Sequence, residues 1–245
     1  GVRRTGLFIG GRETWLAVDM LDSARRAMVP PFEVSVLVDP SGAFTTAAAM
    51  IAAVEKQLQK AHACNLAGKT VMIFGGSGPV GAAAAVLAAQ AGANVAIVAR
   101  EDPTRARNTA QECNRRYGTR IEAVEASTVA SKKAMMQRAD IVLATAKAGH
   151  RVVGKALLVD AKALLVAADV NAVPPSGIEG LDAMDGGKPL QSASDKAVGI
   201  GALAIGNIKY QTQRGLLKAM LEADKALYLN LPEALQEARK HAAIA

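Results

Sequence analysis

Aromatic residues make up only 3% of the 245-residue sequence, although apolar residues together reach 51%. The core must therefore be built from Ala, Val, Leu and Ile, side chains that suit helices packed closely on parallel strands. Cysteine is scarce. Cys64 and Cys113 lie far apart without a Cys-x-x-Cys spacing, so neither a disulfide framework nor a cysteine metal site is expected. No apolar run approaches the roughly 20 residues needed to cross a bilayer. The charged opening residues lack the apolar stretch of a secretory leader, and a cytoplasmic protein is the expectation.

Histidine is scarce as well, with His62, His150 and His241 the complete set. None lies in an H-E-x-x-H pattern or a Ser-His-Asp ordering, so zinc and hydrolase mechanisms have no support. His62 falls at a helix end, where a cation suits the dipole. His241 reads as surface, and His150 follows a strand. Acidic residues are outnumbered 22 to 29, a formal charge of +7. Such an excess attracts anions. Nucleic acid is disfavoured because no aromatic-plus-basic stripe, zinc signature or helix-turn-helix is present. A membrane surface is disfavoured because no basic amphipathic segment stands out. Cofactor phosphates and an acidic small substrate remain.

What is present is an alternation of short apolar runs with helical periodicities. Strands are expected at Leu7–Gly10 and Glu33–Val38, with a helix from Trp15 to Met28 between them and a longer one over 44–62. A second series follows: strands at Lys69–Phe74, Asn94–Ala99, Ile121–Val124, Asp140–Ala144 and Ala163–Ala167, separated by helices. This predicts an α/β fold with a Rossmann-type, doubly wound parallel sheet and a second, smaller α/β domain. Residues 169–190 are too long for an ordinary connection and are expected to be functional. From Ala197 to Lys218 the pattern is helical, and two shorter helices separated near Pro232 complete the reading.

VMIFGGSGPVG places G-x-G-x-x-G between a strand and a helix. Gly76 is expected to permit the tight turn, Gly78 to let a pyrophosphate approach the backbone, and Gly81 to let the helix pack on the strand. Ser77, Pro79 and Val80 complete the turn, whose open amides would face phosphates. The next strand ends in Arg100, where NAD sites place Asp or Glu. A guanidinium suits the 2′-phosphate of NADP, and Arg105 and Arg107 stand close enough to help. Glu101 and Asp102 could instead face a ribose. NADP is the expected cofactor, with NAD accepted.

The shortage of acid–base groups bears on the reaction. Oxidising an alcohol needs a base, whereas a methylene flanked by amine nitrogens gives up a hydride to leave a nitrogen-stabilised cation and needs mainly positioning.

Four segments, FEVSVLVDPSGAFTTAAA, GGSGPVGAAA, AADVNAVPPSGIEGLDAMD and GIGALAIGNIKYQTQ, together resemble the methylene-tetrahydromethanopterin dehydrogenases of methylotrophic bacteria over nearly the whole chain, and more weakly the methylene-tetrahydrofolate enzymes. The resemblance implies reversible hydride transfer from the methylene carbon of a reduced pterin C1 carrier to NAD(P)+, in a cytoplasmic homo-oligomer with the cofactor in an interdomain cleft. It implies a substrate domain over 1–65, a cofactor domain over 66–195, and C-terminal helices over 196–245 returning to the substrate domain. Family members begin several tens of residues earlier, so the substrate domain is expected to lack its N-terminal part. The family's substrate side matches Thr45, Thr46 and Lys209, with Lys209 positioning the pterin. The loop beside the nicotinamide matches Asp169 and Asn171, which are assigned to both substrate and cofactor, and Ala146 joins the cofactor set. Alternatives are a methylene-tetrahydrofolate dehydrogenase, with or without cyclohydrolase activity, and a non-catalytic NADP-binding domain.

Overall fold

The computed structural model describes residues 1–99 and 102–244. A small parallel sheet is formed by β1 (Gly6–Ile9), β2 (Ser35–Val38) and β10 (Tyr228–Leu229), with β2 in the middle. A larger sheet contains β3 (Thr70–Phe74), β4 (Asn94–Ala99), β5 (Glu122–Glu125), β6 (Ile141–Ala144), β7 (Val166–Asp169), β8 (Gly186–Pro189) and β9 (Val198–Ile200). Its order is β5-β4-β3-β6-β7-β9-β8, parallel except for the antiparallel edge strand β8. Strand order reverses between β3 and β6, where Val71 pairs with Val95 on one side and Ile141 on the other. In an open α/β sheet the crevice at such a reversal is where ligands bind.

Both faces of the large sheet are covered. The helices α3 (Pro79–Gln90) and α4 (Pro103–Tyr117) pack on one face, α5 (Val129–Arg138) and the short α6 (Lys155–Leu158) on the other. Local chemistry fixes their ends. Pro79 opens α3 at a position whose N–H would have no helical partner. Asp102 caps α4 by accepting from the Thr104 amide at 2.8 Å, and Gly118 ends it in the left-handed conformation at φ 64°.

Two long helices connect the sheets. The first, α2 (Ala43–His62), follows β2 and is buried along most of its length. At its C-terminal end the His62 ring meets the Leu165 carbonyl, next to the start of β7. Nearer its middle, Gln57 donates to the Gly186 carbonyl, beside the end of β9. The helix therefore runs antiparallel to the large sheet's strands, and its N-terminal half projects past their C-terminal edge. The second, α7 (Ala202–Glu222), leaves β9 and runs back along α2 toward the small sheet. Near the N-terminus, α1 (Thr14–Ala27) packs on β2, and the last helix, α8 (Leu231–Ile244), packs on α2. One apolar core continues from Val36–Val38 through Phe44, Met50 and Val54 to Ile73 and the alanines of α3.

Three expectations are corrected. Residues 198–200 form a buried strand, so the helix begins at Ala202 rather than Ala197. The glycine at 199 leaves room for Leu181, whose Cδ1 would stand 3.2 Å from a Cβ there. The C-terminal region holds one helix and a short strand instead of two helices. Pro232 does not separate helices because it sits in the first turn of α8, where proline is tolerated. The strand expected at Ala163–Ala167 lies further along, at Val166–Asp169, and the 169–190 connection contains β8.

Candidate functional site

The glycine turn sits at the reversal point of the large sheet, between the ends of β3 and β6. Its positive φ falls on Gly75, at +83°, where a Cβ would lie 2.5 Å from the Ala146 nitrogen. The tight turn is thus carried by Gly75, which closes it by accepting from the Gly78 amide at 3.0 Å. Gly76 is required for another reason: a Cβ there would stand 2.9 Å from Ile97 Cγ2. At Gly81 a Cβ would come within 2.5 Å of Gly76 Cα and 2.6 Å of Thr145 Oγ1, so this glycine lets α3 approach the turn and β6. At Gly78 a Cβ would meet only the Gly75 carbonyl, at 3.4 Å. Its missing side chain keeps open the space in front of the turn rather than room within the protein. The first-turn amides of α3 have no intrahelical partner and can receive phosphate oxygens.

A groove of about 700 Å³ extends from Gly75 and Ser77 past the ends of β4 and β5. Arg105, Lys132, Lys147 and Arg151 line it, with His150 and Ser127, and Ala146 forms part of its wall. Among the described residues Asp102 is its one carboxylate; the hydrogen bond from Thr104 holds its pKa below the ordinary value. Arg100 and Glu101 lie outside the described residues. Of the sequence-derived cofactor residues, Ser77, Arg105 and Ala146 meet in this groove. Lys132, Ser127 and Gly75 were missed, although the first glycine of the Gly75-Gly76 pair was in plain view.

Asp169 and Asn171 also organise the loop that follows β7, and both line a cavity with Val173, Pro174 and Leu181. Asp169 is 1% exposed. Its Oδ1 accepts from the Asn171 amide at 2.9 Å, and its Oδ2 from the Gly177 and Ile178 amides at 2.6 and 3.2 Å. Burial pushes its pKa up, against the pull of these three bonds. Asn171 accepts from the Gly149 and Val173 amides at 3.1 and 2.9 Å and donates to the Pro175 carbonyl at 2.8 Å. Both side chains are occupied in folding the 171–177 loop and fastening it to the 145–149 loop. They shape the cleft wall.

The substrate-side residues gather where α2 begins. Its N-cap, Gly42, has no side chain, and the Asp39 carboxylate acts instead. Asp39 Oδ1 accepts from the Phe44 and Thr45 amides at 2.9 and 3.1 Å. Its Oδ2 accepts from Thr45 Oγ1 at 2.7 Å and Gln213 Nε2 at 3.3 Å. Thr45 is fully buried, and its hydroxyl steadies the capping carboxylate. Thr46 is half-buried and donates to the Gly42 carbonyl at 2.6 Å. Lys209, on α7, is brought onto the same turn: a Cβ at Gly42 would lie 2.8 Å from its Nζ. Among the described residues the Lys209 ammonium has no ion-pair or hydrogen-bond partner. Asp39 and Gln213 were missed; Asp39-Pro-Ser-Gly signals a turn, and nothing local reveals that its carboxylate caps a helix. His62 and His241 are engaged with the Leu165 carbonyl and Glu237, leaving only His150 at the groove.

The sequence is similar to those of several known proteins. Residues 1–41 match the family described as methylene-tetrahydromethanopterin dehydrogenase, N-terminal. Residues 70–164 match the family described as NADP oxidoreductase, coenzyme F420-dependent. The chain is 43% identical over 231 residues to the NAD(P)-dependent methylenetetrahydromethanopterin dehydrogenase of Methylorubrum extorquens, covering 94% of this chain and 77% of that protein. It is 30% identical over 224 residues to bifunctional protein MdtA of the same organism, covering 91% and 75%. Among solved structures, the dipicolinate synthase A chain of Bacillus subtilis aligns with a TM-score of 0.49 and 18% identity, covering 89% of this chain and 68% of that one.

Proposed function

The chain belongs to the NAD(P)-dependent methylenetetrahydromethanopterin dehydrogenase family, and from that premise we propose that it oxidises the methylene group of methylene-tetrahydromethanopterin with NADP+, accepting NAD+ as well. It is an NAD(P)-dependent oxidoreductase of one-carbon metabolism. The observation that carries the reading is the turn Gly75–Gly81, open in front of Gly78 at the end of β3, together with the Lys209 ammonium over the start of α2, which has no partner among the described residues. We place the enzyme in the cytoplasm as a homo-oligomer; among the described residues, no helix is long and apolar enough to cross a membrane.

The reaction breaks one C–H bond at a carbon held between two nitrogens. Hydrogen leaves with both electrons, and the nitrogens share the positive charge of the methenyl product. A bound nicotinamide dinucleotide supplies the hydride acceptor. The protein's part is then placement. Gly76, Ser77, Gly78, Pro79, Val80 and Gly81 hold the pyrophosphate, and Ala146 borders the nucleotide. The cationic lining supports NADP: Arg105 and Lys132 offer charge-assisted bonds to a 2′-phosphate, the role read for Arg100 from the sequence. Lys209 and Thr46 face the pterin from the small-sheet side, Lys209 as a positioning cation. No general base is required, because the hydride leaves a nitrogen-stabilised cation and no proton has to be removed.

The deciding assay is oxidation of methylene-tetrahydromethanopterin with NADP and then NAD, following reduced nicotinamide. Turnover with higher kcat/KM for NADP is expected. A protein that binds NADP yet turns over no reduced pterin would overturn the proposal.

A further inference from the structure

The bundle of α2, α7 and α8 ties the small sheet to the large one, with α2 packed on β7 and β9. A separate tie lies across the glycine turn. There α4 packs on β4 and β5, on the far side of β3 in the strand order, and its last turn meets α1. Side chains make this tie. Arg116 on α4 donates through Nη1 and Nη2 to the two oxygens of Asp19 on α1, at 2.6 and 3.0 Å. Its guanidinium lies over the Trp15 ring of α1, 5.5 Å from the centroid, and its Nε donates to Glu112 on its own helix. Tyr117 adds a tilted ring contact to Trp15, with centroids 6.2 Å apart. The Arg116 side chain is only 17% exposed, and all three of its nitrogens are engaged. A fork held in this way is firmer than an open surface ion pair.

We propose that Arg116 is a positioning residue for hydride transfer: by locking α4 to α1 it fixes the distance between the cofactor and the substrate side of the cleft. The inference rests on the reaction proposed above. The 15 residues of α4 form one continuous helix. Its first turn carries Arg105 in the cofactor groove, and its last turn carries Arg116. Such a helix is a rod of about 22 Å, so a shift at one end reaches the other. On the other side of the tie, α1 packs on β2, which leads through Asp39 into the turn beneath Lys209. Arg116 thus joins the support of the nucleotide to the support of the pterin. A small sheet held by the α2, α7 and α8 bundle alone is free to rock about it; a tie across the glycine turn removes that freedom. Hydride transfer responds to such freedom because the reacting atoms must lie about 3–3.5 Å apart. Arginine suits the task, since its planar fork takes both carboxylate oxygens while its face lies on the indole.

Arg116→Met should lower kcat by about tenfold or more, raise the primary isotope effect on a deuterated methylene group, and leave NADP affinity unchanged. Arg116→Lys should recover little of the loss, because an ammonium cannot replace the fork. A merely stabilising contact would lower the melting temperature and leave kcat and the isotope effect of the folded enzyme as they were. Where Arg116→Met does not fold, Asp19→Asn at a half-exposed carboxylate carries the same expectation with a smaller loss. A second arm needs no turnover. Spin labels at Val29→Cys, after α1, and Val159→Cys, after α6, both exposed, are introduced in a Cys64→Ser background. They should report one narrow distance in this background and a broadened distribution once Arg116→Met is added. Unchanged kcat in the Arg116 variant, or an unchanged narrow distance, overturns the proposal. A parent that turns over no reduced pterin overturns the reaction and with it this role for Arg116, while the label distances still decide whether the tie holds the two sides in place.

Discussion

Asp39 and Gln213 lie 174 positions apart in the sequence, yet their side chains meet at 3.3 Å, Gln213 Nε2 donating to Asp39 Oδ2. The contact joins the start of α2 to α7 at the turn over which Lys209 lies. The same carboxylate receives the Phe44 and Thr45 amides, both buried, which would otherwise be without partners. Asp39→Ala should therefore lower unfolding free energy by about 2–4 kcal/mol, read from the urea midpoint. Thr45→Val removes one hydroxyl and leaves both amides capped, so it should cost about 1 kcal/mol. Equal losses in the two variants would show that Asp39 is not the cap.

Two glycines of the nucleotide turn should separate folding from binding. Gly81→Ala forces a Cβ against Gly76 and Thr145 and should lower the melting temperature. Gly78→Ala meets almost nothing within the protein and should leave melting unchanged while weakening NADP by about tenfold or more, measured by titration. Unaltered affinity in Gly78→Ala would place the pyrophosphate elsewhere.

Lys209→Met should lower kcat/KM for the pterin substrate by about 100-fold with NADP affinity intact, because its ammonium lies at α2 rather than at the glycine turn. Full activity in that variant removes Lys209 from the site.

Cofactor choice should respond to the groove. Arg105→Ala and Lys132→Ala should each weaken NADP by about tenfold, leave NAD within about twofold, and lose their effect as salt rises. Equal losses for the two cofactors would assign these cations to the pyrophosphate instead.

A pH response is expected where α1 meets α4. Arg116 donates to both oxygens of Asp19, at 2.6 and 3.0 Å, and bridges to Glu112. Hydrogen bonds from Arg115 and Arg116 pull Glu112 down to about 2 from an ordinary value of 4.5. A depressed carboxylate stabilises the fold above its unfolded pKa and loses that contribution as pH falls through the folded value. The stability advantage of the native chain over Glu112→Gln should be present above pH 4.5 and gone by about pH 2. The two unfolding curves, measured across that range, should converge at the acid end.

Much of the large sheet was legible because its signals are local. Val95–Ala99 and the Asp102, Pro103 and Gly118 signals fix β4 and α4 within a few residues of their neighbours. The glycine turn was legible because a strand, a spaced glycine set and a helix appear in one stretch. The errors share another cause. Residues 198–200 read as helix because Val-Gly-Ile carries no period of its own; pairing with β7 and β8 makes it a strand. Tyr228–Leu229 becomes strand only through β2, and Asp39 becomes the cap of α2 only once the turn at 40–42 folds back onto it. The loop bonds of Asp169 and Asn171 were not legible, because a sequence does not show which distant amides reach their oxygens.

The order in which the chain emerges during synthesis gives the split small sheet a further consequence. All seven strands of the nucleotide-side sheet lie between residues 70 and 200, a contiguous stretch that can pair while later residues are still being made. The small sheet cannot close then. Val36 and Leu37 wait for Tyr228 and Leu229, and the buried face of α2 waits for α7 and α8. The nascent protein thus carries an uncovered alanine-rich helix until residues 202–244 have emerged, and that interval, rather than the finished fold, is where it most needs a chaperone.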